Sequence, residues 1–183
     1  MIEHWQTISS KELLNHHGFT VVEDTVRLPD GQTTTYIRHG DSATDAIIII
    51  AVNDQGRVLV QRKYSHPPQR AMWQLPGGKM HAGESIHAAA NRELAEESGL
   101  QGAQLRTIGS FYVNNRLSDQ QQHVLVAAQL HEHKLPADVD EFIETHWFSV
   151  DQLLEKIATN QFDNINLLAA LNLWLHNNKG SSK

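Results

Sequence analysis

The sequence predicts an α+β fold on three observations. Residues 19–28 and 33–38 are rich in β-branched side chains and flank the turn signal Pro29-Asp30-Gly31. Residues 46–52 form an unbroken apolar run, and residues 86–98 hold neither glycine nor proline before Gly99. The first two are strand signals and the third is a helix signal.

Taken in order, 19–28 and 33–38 make an antiparallel hairpin whose polar Thr33-Thr34-Thr35 face leaves little to bury. An isolated hairpin is marginal in water, so this one needs the main body or a second subunit as cover. Residues 46–52, a turn at 53–56 and a strand at 57–64 read as a buried hairpin opening the main domain. A Pro67-Pro68 loop and a short strand at 71–75 lead to Gly77-Gly78 and then to the helix. Ser85 can cap its start and Gly99 can take the left-handed conformation that ends it. Ile86, Ala90 and Leu94 form its buried stripe. Two strands follow at 105–113 and 123–130 around the polar separator 114–122, then a strand at 145–150 with Asp151 as a helix start. Helices at 152–159 and 165–176 close the chain, the second packing through Leu168, Leu171 and Leu175, and 180–183 is a frayed tail. The domain reading is 1–43 as an extension and 44–183 as the main domain.

Composition narrows the function. With 183 residues, 40% hydrophobic and 20% charged, the chain can bury a real core. A net charge of −6 argues against non-specific nucleic-acid binding, which draws on Lys and Arg. The lack of cysteine excludes disulfides, thiolate metal sites and cysteine nucleophiles. Glu3 and the absence of an apolar core at the N-terminus exclude a secretory signal, and the longest apolar run, 46–52, is too short to span a bilayer. A soluble, cytoplasmic protein with no nucleic-acid and no membrane partner is expected. The 12 histidines are scattered and lack zinc-site spacing.

The chemistry concentrates on the helix. Glu93, Glu96 and Glu97 share one end of one face, where like charges repel. Arg92 reaches Glu96 one turn away, but one guanidinium does not neutralise three acids. The face is therefore either a solvated acidic surface or the seat of a divalent cation bound by oxygen ligands. Gly77-Gly78 lets the backbone approach a ligand closely and offers a carbonyl as a further hard ligand. Among the aromatics, Trp5, Tyr36, Tyr64 and Trp73 could stack on a base, with Trp5 and Tyr36 first because the hairpin can face a partner's pocket.

Read as a pattern, Gly78, five residues, Glu84, seven residues and Arg92-Glu93-Leu94-Ala95-Glu96-Glu97-Ser98-Gly99-Leu100 fill every fixed position of the Nudix box. The chain thus resembles the Nudix hydrolases, and its LPDG-tipped hairpin is similar to that of the branch of ADP-ribose pyrophosphatases and nucleoside diphosphate sugar hydrolases. The resemblance implies a Nudix fold: a mixed central sheet between helices, an α/β/α sandwich, preceded by an antiparallel β-hairpin extension. It implies hydrolysis of a nucleoside diphosphate sugar with magnesium, or manganese, as cofactor. ADP-ribose leads, ahead of GDP-mannose, other nucleotide sugars and dinucleoside polyphosphates; a Nudix-fold ligand sensor is the non-enzyme alternative. Carried over by position, Glu93 and Glu97 with the Gly77 carbonyl are metal ligands. Glu96 supports them, Arg92 orients Glu96, and Glu84 is secondary. Glu141, then Glu144, is the group that completes the site or acts as general base, and 114–122 is the substrate-selecting loop. In this branch the hairpin often builds a homodimer and enters the partner's active site.

Three positions depart from that branch. Asn114-Asn115 stands where ADP-ribose enzymes often carry a proline. Lys63-Tyr64-Ser65 stands for Gln-Tyr-Arg, which leaves Arg62 or Arg70 as the phosphate-contacting arginine, and Gln74 stands for the usual glutamate.

Overall fold

The structure, a computed structural model, describes residues 3–17, 19–40, 44–136 and 142–179. Glu141, with Asp138 and Asp140 before it, and the tail at 180–183 lie outside the described residues. By its internal contacts the chain divides into two compact units, Met1–Thr44 with Asn114–Gln120, and Asp45–Val113 with Gln121–Lys183.

The first unit is an antiparallel sheet of β1 (Gln6–His16), β2 (Phe19–Arg27) and β3 (Thr33–His39) in the order β1-β2-β3. β2 and β3 are the expected hairpin, with Gly31 at φ +85° closing its turn. β1 is an addition that the residues did not announce. Every one of its side chains is exposed and its pairing with β2 slips twice, so no two-residue apolar period survives. One polar row ties the three strands together: Asp24 on β2 accepts from Ser10 Oγ at 2.7 Å and from Arg38 Nε at 2.6 Å. The Arg38 bond outweighs burial and holds the Asp24 carboxyl below its ordinary range. Segment 114–120 joins this unit through backbone carbonyls: Tyr36 O–H donates to that of Arg116 at 2.6 Å and His39 N–H to that of Leu117 at 2.7 Å.

The second unit holds β4 (Ala46–Ala51), β5 (Val58–Ser65), β6 (Arg70–Gln74), α1 (Ile86–Ser98), β7 (Leu100–Tyr112), β8 (Gln121–Glu132), β9 (Ile143–Phe148), α2 (Val150–Ala158) and α3 (Ile165–Lys179). Its strands form two sheets, the mixed β4-β8-β7, in which β4 runs parallel to β8, and the antiparallel β6-β5-β9. Side-chain alternation sorts the core into two layers. Ile48, Ile50, Val58 and Val60 pack with Leu153 of α2 and Leu167, Leu171 and Trp174 of α3, whereas Ile47, Ile49 and Leu59 pack with Ala89, Ala90 and Leu94 of α1. The sheets thus lie between α1 and the closing helices, as the α/β/α expectation requires.

Four expectations are corrected. β4 and β5 are not a hairpin: beyond one bridge at Val52–Val58 they separate, because β5 is flanked by β6 and β9 while β4 takes β8 on one edge and the chain at 76–80 on the other. β7 starts at Leu100, directly after the helix, its start hidden by Gly102, where an added Cβ would lie 3.0 Å from that of Ala127. α2 begins at Val150 and is capped by Ser149, not started at Asp151, through a capping box with Gln152. α3 packs through Leu167, Ala170, Leu171 and Trp174, with Leu168 and Leu175 at the margin.

Candidate active site

The site is built where the glycine loop is fastened to β4. Ile49 N–H donates to the Pro76 carbonyl at 2.8 Å, Ile47 N–H to the Gly78 carbonyl at 2.9 Å, and Met80 N–H to that of Asp45 at 2.9 Å. The loop therefore runs as an irregular strand along the free edge of β4. Only glycine fits at position 77, where φ is +147° and an added Cβ would lie 2.1 Å from the Ile47 carbonyl oxygen. The same geometry aims Gly77 N–H at α1, where it donates to Glu97 Oε2 at 2.9 Å.

α1 is held at both ends as its sequence predicts. Ser85 accepts from Ala88 N–H, and Gly99 at φ +71° closes the C-terminus. Asn91 clamps the helix to β7 by accepting from Gly102 N–H at 3.0 Å. After β8 the chain returns across the helix end: Leu135 N–H donates to the Ala95 carbonyl and His133 N–H to that of Gly99.

Arg92 is the hub of the site. Its Nε and Nη2 donate to the two oxygens of Glu84 at 3.0 and 2.9 Å, and Nη1 to Glu93 at 2.7 Å and Glu96 at 3.1 Å. Nη2 also reaches the Lys79 carbonyl at 3.0 Å. The guanidinium therefore orients Glu93 and Glu84 as well as Glu96, and Glu84 is its two-pronged partner. Arg92 lowers the pKa of Glu84 against the opposing effect of burial, with help from His81 N–H, and Glu84 and Glu93 raise that of Arg92 in turn. Glu93 stands against Gly78 so closely that an added Cβ would meet its Oε1 at 2.6 Å.

Four carboxylates, Glu84, Glu93, Glu96 and Glu97, thus gather around one guanidinium and one backbone N–H. The surplus of negative charge in hard oxygen donors suits a small divalent cation. Among the described residues no group of three or more His, Asp or Glu side chains is arranged to hold a metal ion by itself. Magnesium characteristically takes one or two carboxylates and completes its shell with water and phosphate oxygens, so two helix acids and a carbonyl fit that habit.

A cleft of about 310 Å³ opens beside these acids, lined by Glu96, Glu97, Ser98, Gly99, Lys134, Ile143 and Thr145. Lys134 and Thr145 carried no local signal in the sequence. They arrive by tertiary routes, Lys134 on the chain that crosses the end of α1 and Thr145 on the α1-facing side of β9.

The remaining candidates are elsewhere. Arg62 and Glu144 line a separate cleft of about 500 Å³ with Tyr64, Ala71, Phe142 and Ile143. Arg62 and Tyr64 continue the Val58–Val60 row, so they and Glu144, the register partner of Arg62, face away from α1. Arg62 lies over the Trp73 ring at 5.7 Å. Arg70 is ion-paired with Asp163. Trp5 and Tyr36 lie in the N-terminal unit, edge to face at 6.2 Å. A pair not foreseen joins His123 Nε2 to Asp45 at 2.8 Å; burial pushes the Asp45 carboxyl up, but Gln121 N–H and His123 together hold it below its ordinary range.

Comparison with known proteins agrees with this architecture. The NUDIX domain profile matches residues 43–171, and that of the nucleoside diphosphate sugar hydrolase N-terminal domain matches 5–36. The ADP-ribose pyrophosphatase of Bacillus subtilis (strain 168) is 27% identical over 160 residues, 85% of this chain and 84% of that protein. The ADP-ribose pyrophosphatase of Mycobacterium tuberculosis is 35% identical over 134 residues, 72% of this chain and 64% of that protein. The methanol dehydrogenase activator of Bacillus methanolicus is 27% identical over 175 residues, 93% and 92% of the two chains. The crystal structure of an ADP compounds hydrolase superposes with a TM-score of 0.92 over 100% of this chain and 98% of that one, at 20% identity, a likeness of fold.

Proposed function

The chain belongs to the Nudix family of pyrophosphohydrolases, and from that premise we propose that it hydrolyses the diphosphate bond of a nucleoside diphosphate sugar. ADP-ribose is the first substrate, with AMP and ribose 5-phosphate as products. The observation that carries the reading is the set of four carboxylates fixed around Arg92 and the Gly77 N–H, beside an open cleft. The match of residues 5–36 to a nucleoside diphosphate sugar hydrolase N-terminal domain supports the substrate class.

In this reading Glu93, Glu97 and the Gly77 carbonyl hold magnesium, or manganese in its place. When bound, the cation supplies charge balance and Lewis acidity to the phosphoryl oxygens. Arg92 keeps Glu93 and Glu96 in place, so that the acids need not reorganise during the reaction. Lys134, which lines the cleft, meets the anionic substrate. Glu141 accepts the proton of the attacking water; Glu144, turned to the other face of β9, is the second candidate. Arg62 and Arg70 remain substrate-contacting candidates of lower rank, since Trp73 and Asp163 engage them.

We further propose a cytoplasmic homodimer formed through the N-terminal sheet, with Trp5 and Tyr36 entering the partner's pocket. The exposed Trp5, Ile8, Leu13, Leu14, Phe19 and Ile37 of that unit support it. No helix among the described residues is long and apolar enough to cross a membrane. A second reading keeps the reaction and changes the sugar nucleotide, favoured by Asn114-Asn115 at a branch-typical proline position. Chromatography after incubation with ADP-ribose, GDP-mannose, UDP-glucose and a dinucleoside polyphosphate, with and without magnesium, separates the two. Release of AMP from ADP-ribose above the rest is expected; preference for another compound reassigns the substrate, and silence on all four overturns the enzymatic reading.

A further inference from the structure

Gln61 of β5 is fully buried, and both its Nε2 and its Oε1 lack a hydrogen-bond partner. The three strand residues before it are buried and aliphatic, Val58, Leu59 and Val60. Burying an amide with neither atom satisfied opposes folding, and a valine or leucine would serve the core better. Such a group calls for a compensating role.

Its place in the fold indicates which role. Alternation puts Gln61 on the same face as Leu59, which packs against Leu94 of α1. Gln61 lies two residues beyond Leu59, and Glu97 lies one helical turn beyond Leu94, in the direction of the cleft. The cross-strand neighbours agree: Gln61 pairs with Thr145, which lines the cleft with Glu96 and Glu97. On its other side it pairs with Gln74, three residues before the Gly77 whose N–H holds Glu97. Two independent strand registers thus place Gln61 beside Thr145, which lines the cleft with Glu97, and beside the strand that leads to Gly77.

We propose that Gln61 is a positioning residue for Glu97, its amide N–H₂ donating through one buried water to the carboxylate, and so fixing the rotamer that meets a divalent cation. The proposal rests on the reading of Glu97 as a metal ligand. Outer-shell donors of this kind hold metal-binding carboxylates in orientation, and their loss weakens metal binding about 10–100-fold.

The test is Gln61→Met, of similar length and without hydrogen-bonding groups, with Gln61→Leu as a second variant should methionine disturb packing. The full chain is titrated with Mn²⁺ by calorimetry, its thermal midpoint is recorded without metal, and kcat and KM are measured on ADP-ribose. Mn²⁺ affinity at least tenfold weaker, an unchanged or higher midpoint and a fall in kcat at unchanged KM are expected. Wild-type Mn²⁺ affinity in both variants would overturn the proposal, whatever the midpoint does. If the unaltered chain hydrolyses nothing yet binds Mn²⁺ with an affinity that both Gln61 variants weaken, the enzymatic reading fails and the positioning role stands.

Discussion

Replacing Gly78 by alanine tests the site without touching a charged group. The new Cβ would lie 2.6 Å from Glu93 Oε1 and 2.7 Å from its Cδ and Oε2, and ordinary contact begins at 3.4 Å. No backbone atom is among these three neighbours, and Gly78 lies outside the left-handed region, so the strain can be relieved by moving Glu93 alone. The carboxylate must retreat by about 0.8 Å, and misplacement of about 1 Å can cost on the order of 100-fold in rate. Stability should change little. Alanine restricts the unfolded chain by about 0.4–1 kcal/mol, which offsets a weakened Arg92–Glu93 bond of about 1 kcal/mol. The predicted result is a thermal midpoint within about 4 °C of wild type by circular dichroism, with kcat for ADP-ribose down on the order of 100-fold. Wild-type turnover would refute the role given to the position of Glu93. An unfolded variant would refute the claim that the clash is confined to a side chain.

Gly77→Ala should behave differently, because its Cβ meets the Ile47 carbonyl oxygen at φ +147°; a loss of at least about 1–3 kcal/mol in urea unfolding is expected, and wild-type stability would contradict the loop geometry. Arg92→Ala leaves Glu84 and Glu93, 13% and 14% exposed, without their cation, so a loss of about 3–5 kcal/mol should appear in the same assay. Glu84 is held below its ordinary 4.5, so the Glu84–Arg92 contribution is complete above pH 4.5 and fades as pH falls through the lowered folded value. Below pH 4.5 the thermal midpoint of wild type should therefore fall more steeply than that of Glu84→Gln; equal slopes would contradict the pairing. Ser149→Ala should cost about 1 kcal/mol by removing the α2 cap, read from the urea midpoint.

What could be read from the sequence follows from how local the determinants are. The caps at Ser85 and Gly99 and the acidic row of α1 are contacts over a few residues, and each lies where the pattern placed it. The weight of Glu84 is not legible locally, because its partner Arg92 is eight residues on, beyond the reach of a one-turn rule. Lys134 and Thr145 come to the cleft only when the chain after β8 crosses α1 and when β9 pairs with β5. The false hairpin of β4 and β5 has the same origin: two buried strands joined by a good turn look paired, and the competing partners β8, β6 and β9 are distant in sequence. β1 escaped because a fully exposed, bulged strand has no apolar period to detect.

Glu97→Gln, assayed beside the wild type on ADP-ribose with and without magnesium, tests the central claim most directly. The site predicts magnesium-dependent release of AMP by the wild type and none by the variant, with both proteins showing the same circular dichroism and thermal midpoint in the absence of metal to within a few degrees. Full activity in the variant, or wild-type activity indifferent to magnesium, would contradict it.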